Sequence, residues 1–188
     1  MTTSELIRYL FYFSIFLWLI PPIRQFKKHY FYFFLILALM DPISLLYFEI
    51  VKKSMPLGFY LFANYFLLLS TFEKDSLLRN LYLILISGVV LLGMLIFAGF
   101  TLKQIYIILI AIQFLIFATT LKKFIVKYAF EKKFDLFLLV LNFYLITIIT
   151  KFFNLLVGFA DASAFFIITT IAQIIFGFYF SIVRENNS

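Results

Sequence analysis

Apolar residues run along this chain in long blocks, broken at near-regular intervals by short clusters of Lys, Arg, Glu, Asp, Pro and Gly. Seven blocks stand out, at residues 5–21, 30–50, 56–72, 79–99, 104–121, 134–157 and 162–183. A helix that crosses a bilayer needs about 20 mostly apolar residues, with a range of about 17–25. The seven blocks meet that requirement, and the breaks between them (PPIRQFKKH, VKKSMP, EKDS, FTLKQ, KKFIVKYAFEKK and GFAD) carry ordinary turn chemistry. The pattern predicts an all-α polytopic membrane protein, one domain over residues 1–188, with seven transmembrane helices. At GFTLKQ a tight hairpin is expected, because residues 79–121 as one helix would be far too long for a bilayer. The first block reaches Pro21-Pro22 without the small-residue pattern of a cleaved signal peptide and is expected to stay as a membrane helix. The tail RENNS is too short to form a domain, and no soluble domain is expected.

Composition agrees with the block pattern. The chain is 65% hydrophobic and 13% charged, against about 45–50% apolar and 25% charged in soluble domains. With no cysteine and only His29, disulfides, thiolate sites and multi-histidine metal sites are excluded, and no metal or cofactor is expected. The net charge of +7 lies between the apolar blocks rather than on one face, which argues for membrane topology and against nucleic acid.

Lys and Arg are retained on the cytoplasmic side of membrane helices. One face of the predicted bundle holds eleven of them: Arg24, Lys27, Lys28, Lys74, Arg79, Lys122, Lys123, Lys127, Lys132, Lys133 and Arg184. The other face holds four, Arg8, Lys52, Lys53 and Lys103, with Lys151 inside the sixth block. The N-terminus is therefore expected outside and the C-terminus in the cytoplasm. The break KKFIVKYAFEKK mixes Lys122, Lys123, Lys127, Lys132 and Lys133 with apolar residues, so it is expected to lie in the headgroup layer against anionic lipid. A solvated loop that only fixes topology is the alternative.

Polar residues inside the blocks carry the candidate chemistry. At 100° per residue, each of five blocks shows one polar stripe: Asp41 and Ser44; Tyr60, Asn64 and Thr71; Tyr106, Gln113 and Thr120; Tyr144, Thr147, Lys151 and Asn154; Thr169, Thr170, Gln173 and Gly177. Asn142 points away from its stripe, and the fourth block offers only Asn80 and Ser87 with Gly88 and Gly93. Stripes on otherwise apolar helices imply a shared polar interior between the second, third, fifth, sixth and seventh helices. Asp41, Asn64, Gln113, Lys151 and Gln173 are the candidate ligand-binding residues. An ionised Asp or Lys at a helix centre costs about 2.5–3.5 kcal/mol, so such groups find partners or serve a function. Depth along the helices sets Lys151 level with Glu49 and Asp161, the expected ion-pair partners, and leaves Asp41 to Asn64 or a proton. Pro42 cannot bond the Ala38 carbonyl, so a kink is expected beside Asp41. The competing reading makes the Asn, Gln, Ser and Thr residues interhelical glue, worth about 0.6 kcal/mol each.

No phosphate loop, nucleophile elbow or zinc-protease helix occurs. A retinal-binding reading fails because the seventh block has no lysine, and the three-plus-one-plus-three plan of small sugar transporters fails for want of an internal repeat or a Pro-Gln motif. The runs FYFFLILALMDPISLLYFEI, LGFYLFANYFLLLSTF and FFIITTIAQIIFGFYFSIV resemble the compact bacterial seven-helix membrane modules that occur alone or ahead of histidine-kinase cores. That resemblance implies a bacterial inner-membrane location and a sensory or accessory role, with output through a separate partner protein or a homo-oligomer. The leading expectation is a non-enzymatic sensory, binding or accessory module. A small-solute or ion transporter using the same cavity is the second, and an intramembrane lipid-modifying enzyme with Asp41 and Glu49 as acid and base is the third.

Overall fold

The computed structural model describes residues 3–97 and 100–185. Among them the fold is all-helical, with no strand. The elements are α1 (Thr3–Trp18), α2 (Ile20–Arg24), α3 (Phe31–Val51), α4 (Leu57–Leu69), α5 (Lys74–Arg79), α6 (Leu81–Phe97), α7 (Leu102–Phe130), α8 (Leu136–Val157) and α9 (Ala162–Ile182). Among the described residues five segments are long and apolar enough to cross a membrane: Glu5–Arg24, Phe31–Val51, Leu102–Phe130, Leu136–Val157 and Ser163–Ile182. The third and fourth predicted spans contain shorter apolar helices, Leu57–Leu69 and Leu81–Gly93. At about 1.5 Å per residue, α4 covers about 20 Å of a hydrocarbon core about 30 Å thick.

Three boundaries differ from the sequence pattern, each for a local reason. Pro21 and Pro22 occupy the first positions of α2, where a missing N–H has no carbonyl to serve, so the helical rod continues to Arg24 instead of stopping at the prolines. Pro42 sits inside α3, which is assigned as one helix from Phe31 to Val51. The stretch expected as a basic headgroup loop is the last two turns of α7, which is about 43 Å long. Lys, Phe, Ile and Val tolerate a helix, and the chain leaves it only at Glu131. At its other end α7 starts with a capping box: Thr101 Oγ1 accepts from the Gln104 amide and the Gln104 side chain accepts from the Thr101 amide. Ala98 of the fourth predicted span, Gly99 of the predicted hairpin and residues 186–188 of the tail lie outside the described residues.

Helix contacts form a closed circuit: α1 packs on α3, α3 on α4, α4 on α7, α7 on α8, α8 on α9, and α9 back on α1. In lipid the tails are as apolar as leucine, so close packing and hydrogen bonds hold such helices together. Gly177 shows the tightness of the α1–α9 seam, since a Cβ there would lie 3.0 Å from Trp18 Nε1 and 3.3 Å from Leu17 Cδ2. The Trp18 indole donates to the Gln173 carbonyl at 3.1 Å across the same seam. An aromatic cluster fills the ring on the side of Tyr30, with Phe34 and Phe180 centroids 4.8 Å apart and Trp18 and Tyr144 also at 4.8 Å. Helix α6 stands outside the circuit. It meets α4 through Tyr65, whose hydroxyl donates to the Ile84 carbonyl at 2.8 Å and lies 2.7 Å from Ser87 Oγ.

Candidate binding cavity

The six-helix circuit encloses a cavity of about 300 Å³. Asp41 and Met40 reach it from α3, Tyr60 and Asn64 from α4, and Tyr106 and Gln113 from α7. Tyr144, Lys151 and Phe152 come from α8, Gln173 from α9 and Trp18 from α1. All five residues singled out as ligand-binding candidates, Asp41, Asn64, Gln113, Lys151 and Gln173, line this one space. Trp18 was not among them. The signal was a lone tryptophan closing the first apolar block, an indole N–H that a lipid-facing position would leave unbonded.

Most hydroxyls of the polar stripes do not serve the cavity. Thr147 donates to the Tyr144 carbonyl, Thr169 and Thr170 to Phe165 and Phe166, and Ser181 to Gly177, each closing a bond within its own helix. Thr120 donates to Asn142 Oδ1 at 2.9 Å and Asn142 to the Leu138 carbonyl at 2.7 Å, a buried link between α7 and α8. Of these, only the Thr120–Asn142 bond joins two helices and fits the reading as interhelical glue.

The amides of Asn64 and Gln113 form a relay with a defined direction. The Tyr60 carbonyl can only accept, so Asn64 presents Nδ2 to it, at 2.7 Å. Asn64 Oδ1 then faces Gln113 and accepts from its Nε2. Gln113 Oε1 is left buried with no partner. The sequence stripe placed these two amides together, but only the geometry shows that the pair ends in a fixed acceptor.

Asp41 and Lys151 are half-buried, and their charges act on each other. Among the described residues neither forms an ion pair within 4.0 Å, and neither makes a hydrogen bond. Lys151 Nζ lies over the Phe166 ring, 5.9 Å from its centre. The expected pairing of Lys151 with Glu49 or Asp161 is corrected: Glu49 holds Lys52 at 2.9 Å, and Asp161 accepts from the Ala164 amide as the α9 cap. Depth measured along helix axes ignores the four-carbon lysine stem, which moves the ammonium well away from its own turn. Asp41 does not take Asn64, whose amide is committed to Tyr60 and Gln113.

A second cavity, of about 530 Å³, shares Leu57, Tyr60 and Tyr106 with the first. It continues past Ser44, Ser54, Met55 and Leu102, toward the end of the bundle remote from Lys123. The Ser44 and Tyr60 hydroxyls, 2.7 Å apart, join α3 to α4 beside the shared residues.

The opposite, basic end is closed by polar contacts that sequence reasoning did not find. Lys123 Nζ lies 2.7 Å from His29 Nε2, donates to the Thr71 carbonyl at 2.8 Å, and stands over the Tyr30 ring. His29 Nε2 also lies 3.2 Å from the Thr71 carbonyl; in the neutral ring protonated at Nδ1 that nitrogen accepts from the ammonium, and in the other tautomer it donates to Thr71. Burial and the Lys123 charge both hold His29 below its ordinary 6.5. Lys127 pairs with Asp135 at 3.0 Å, while the other oxygen of Asp135 caps α8 at the Leu138 amide. Gln25 is fully buried, donating to the Val183 carbonyl and accepting from the Glu185 amide. Lys123 and Lys127, one helical turn apart on α7, thus face the bundle; of the five expected headgroup lysines only Lys122, Lys132 and Lys133 are exposed. A loop reading could not separate the two groups, whereas helical periodicity does.

Helices of this length and apolarity, packed around a largely apolar cavity that a few polar side chains line, define a membrane-embedded helical protein. Comparison with family models, with curated proteins and with solved structures finds no match to this chain.

Proposed function

We propose that the chain is a seven-span membrane protein, N-terminus outside and basic end in the cytoplasm, that binds a small solute inside its helix ring as a sensory or accessory module. The observation that carries this reading is that Asp41 and Lys151, which among the described residues make no hydrogen bond or ion pair, line one cavity together with Gln113, whose buried Oε1 has no partner. Intramembrane ionisable groups without partners are costly to keep, which makes them functional candidates by default. The neighbouring cavity past Ser54 and Leu102 gives the solute a route from outside, and the packed Lys123 end closes the route inward.

A chain without cysteine makes topology simple to test. Ser54→Cys is expected to react with an impermeant maleimide on intact cells, and Lys132→Cys only after permeabilisation; the reverse pattern would refute the orientation. Native mass spectrometry of the gently purified protein is expected to show a small solute that is lost in Gln113→Leu. The one-sided access supports a receptor; solute flux in proteoliposomes, abolished by Asp41→Asn, would instead make it a carrier.

A further inference from the structure

We infer that the cavity takes a small zwitterion, a solute carrying one ammonium and one carboxylate, held between Asp41 and Lys151. This rests on the solute-binding reading and names the class of ligand for it. Three features of the cavity lead there.

The first is charge balance. One carboxylate and one ammonium line the same enclosed space, and neither is neutralised by a contact within 4.0 Å. A solute of a single charge would satisfy one of them and leave the other facing a like charge in a low-dielectric site. A neutral solute would leave both without a contact of opposite charge. A zwitterion answers both and brings no net charge into the bundle.

The second is the direction of the amide relay. Because the Tyr60 carbonyl fixes Asn64 and Asn64 fixes Gln113, turning the Gln113 amide over would break its bond to Asn64 and set two amide oxygens against each other. The acceptor has no surface open to the cavity that Gln113 lines, so a solute donor meets it only once the side chain turns outward. Ammonium N–H groups supply one, and a carboxylate does not.

The third is size and wall chemistry. A volume of about 300 Å³ stands at the lower edge of ligand pockets, which run from about 300 to 1,000 Å³. Tyr60, Tyr106, Tyr144 and Trp18 give aromatic walls suited to a short methylene chain and to a cation near a ring face. Together these select a solute on the scale of a free amino acid.

The full chain, purified into lipid nanodiscs, would be titrated by calorimetry with glycine, β-alanine, γ-aminobutyrate and ε-aminocaproate, and with butylamine and butyrate as singly charged controls. One zwitterion is expected to bind at least about tenfold more tightly than either control, about 1.4 kcal/mol. The two charge variants should then diverge. Asp41→Asn leaves a cationic site and is expected to favour butyrate, whereas Lys151→Met leaves an anionic site and is expected to favour butylamine. A purely structural role for the two residues would not reverse charge preference in this way. Gln113→Glu is expected to tighten butylamine binding, and it keeps the test usable if one of the other variants does not fold. A control bound more tightly than every zwitterion, and lost in Gln113→Leu, would overturn the ligand class while leaving a binding cavity in place. No probe bound, together with a native mass spectrum free of any solute, would overturn both.

Discussion

Two half-buried lysines divide this molecule into two regions of different character. Lys123, at the basic end, is surrounded: His29 Nε2, the Thr71 carbonyl and the Tyr30 ring take its ammonium, and Lys127 beside it has Asp135. Lys151, on the cavity wall, has the Phe166 ring and an opposing charge it does not touch. The same side chain, at similar burial, is structural in one place and unspent in the other. A fully satisfied polar cluster rigidifies the helix ends it joins, and a partly satisfied one retains bonding capacity for a solute. Mutations should therefore lower stability at the basic end and leave it nearly unchanged in the cavity.

The largest effect belongs to Asp135, which is buried, caps α8 and pairs Lys127. Asp135→Ala removes the cap and strands an inward-facing cation. A loss of about 3–5 kcal/mol is expected, read from thermal unfolding in detergent. Asp135→Asn keeps a capping oxygen and should recover about 1 kcal/mol of that. Next comes Lys123→Met, which removes the charged hydrogen bond to the Thr71 carbonyl and leaves only His29 Nε2 within reach of it, at a cost of about 1.5–3 kcal/mol. If both variants unfold like the unmodified protein, the basic end is not the clamp described above.

In the cavity the expected sign differs. The double variant Asp41→Asn, Lys151→Met removes two charges that have no direct partner to lose. Its unfolding temperature should match or exceed that of the unmodified protein, by up to about 1 kcal/mol. A loss of more than that would mean the two groups do hold the ring together, and the contrast between the regions would collapse.

How far the sequence could foresee this contrast follows from what periodicity measures. Asp41, Asn64, Gln113, Lys151 and Gln173 converge because a polar stripe on an apolar helix has only the interior to face, and that is legible from spacing alone. The outer place of α6 agrees with a block that carries no polar stripe, but α1 has none either and still closes the ring, so the stripe does not decide ring membership. The partners of Lys151 were not legible: axial depth says nothing about where a long flexible side chain ends. The inward turn of Lys123 and Lys127 was hidden by their charge, which reads as loop wherever five lysines fall within twelve residues. The role of Gln25 was equally hidden, because its partners are backbone groups of Val183 and Glu185 at the far end of the chain.

The smallest effect tests the basic end by acid. His29 is held below its ordinary 6.5 by burial first and by the Lys123 charge second. The unfolded chain therefore binds a proton more readily than the folded one, and stability falls with falling pH. The contribution is fully present above about pH 6.5 and is lost as pH drops through the lower folded value. Around it stand Lys123 and Lys127 from α7 and Glu73 from the segment before α5, with Glu185 acting on Lys123. Glu185 works in the opposite sense: burial raises it above 4.5, so its contribution is present at low pH and fades as pH rises through its folded value. Unfolding temperatures of the unmodified protein and of His29→Gln, followed from about pH 8 down to about pH 5, separate the two. The unmodified protein should lose stability relative to the variant as acid is added, because only its His29 must take a proton beside an ammonium. Parallel curves would show that the imidazole does not accept from Lys123, and would leave that lysine with one backbone carbonyl and a ring, much closer to the condition of Lys151.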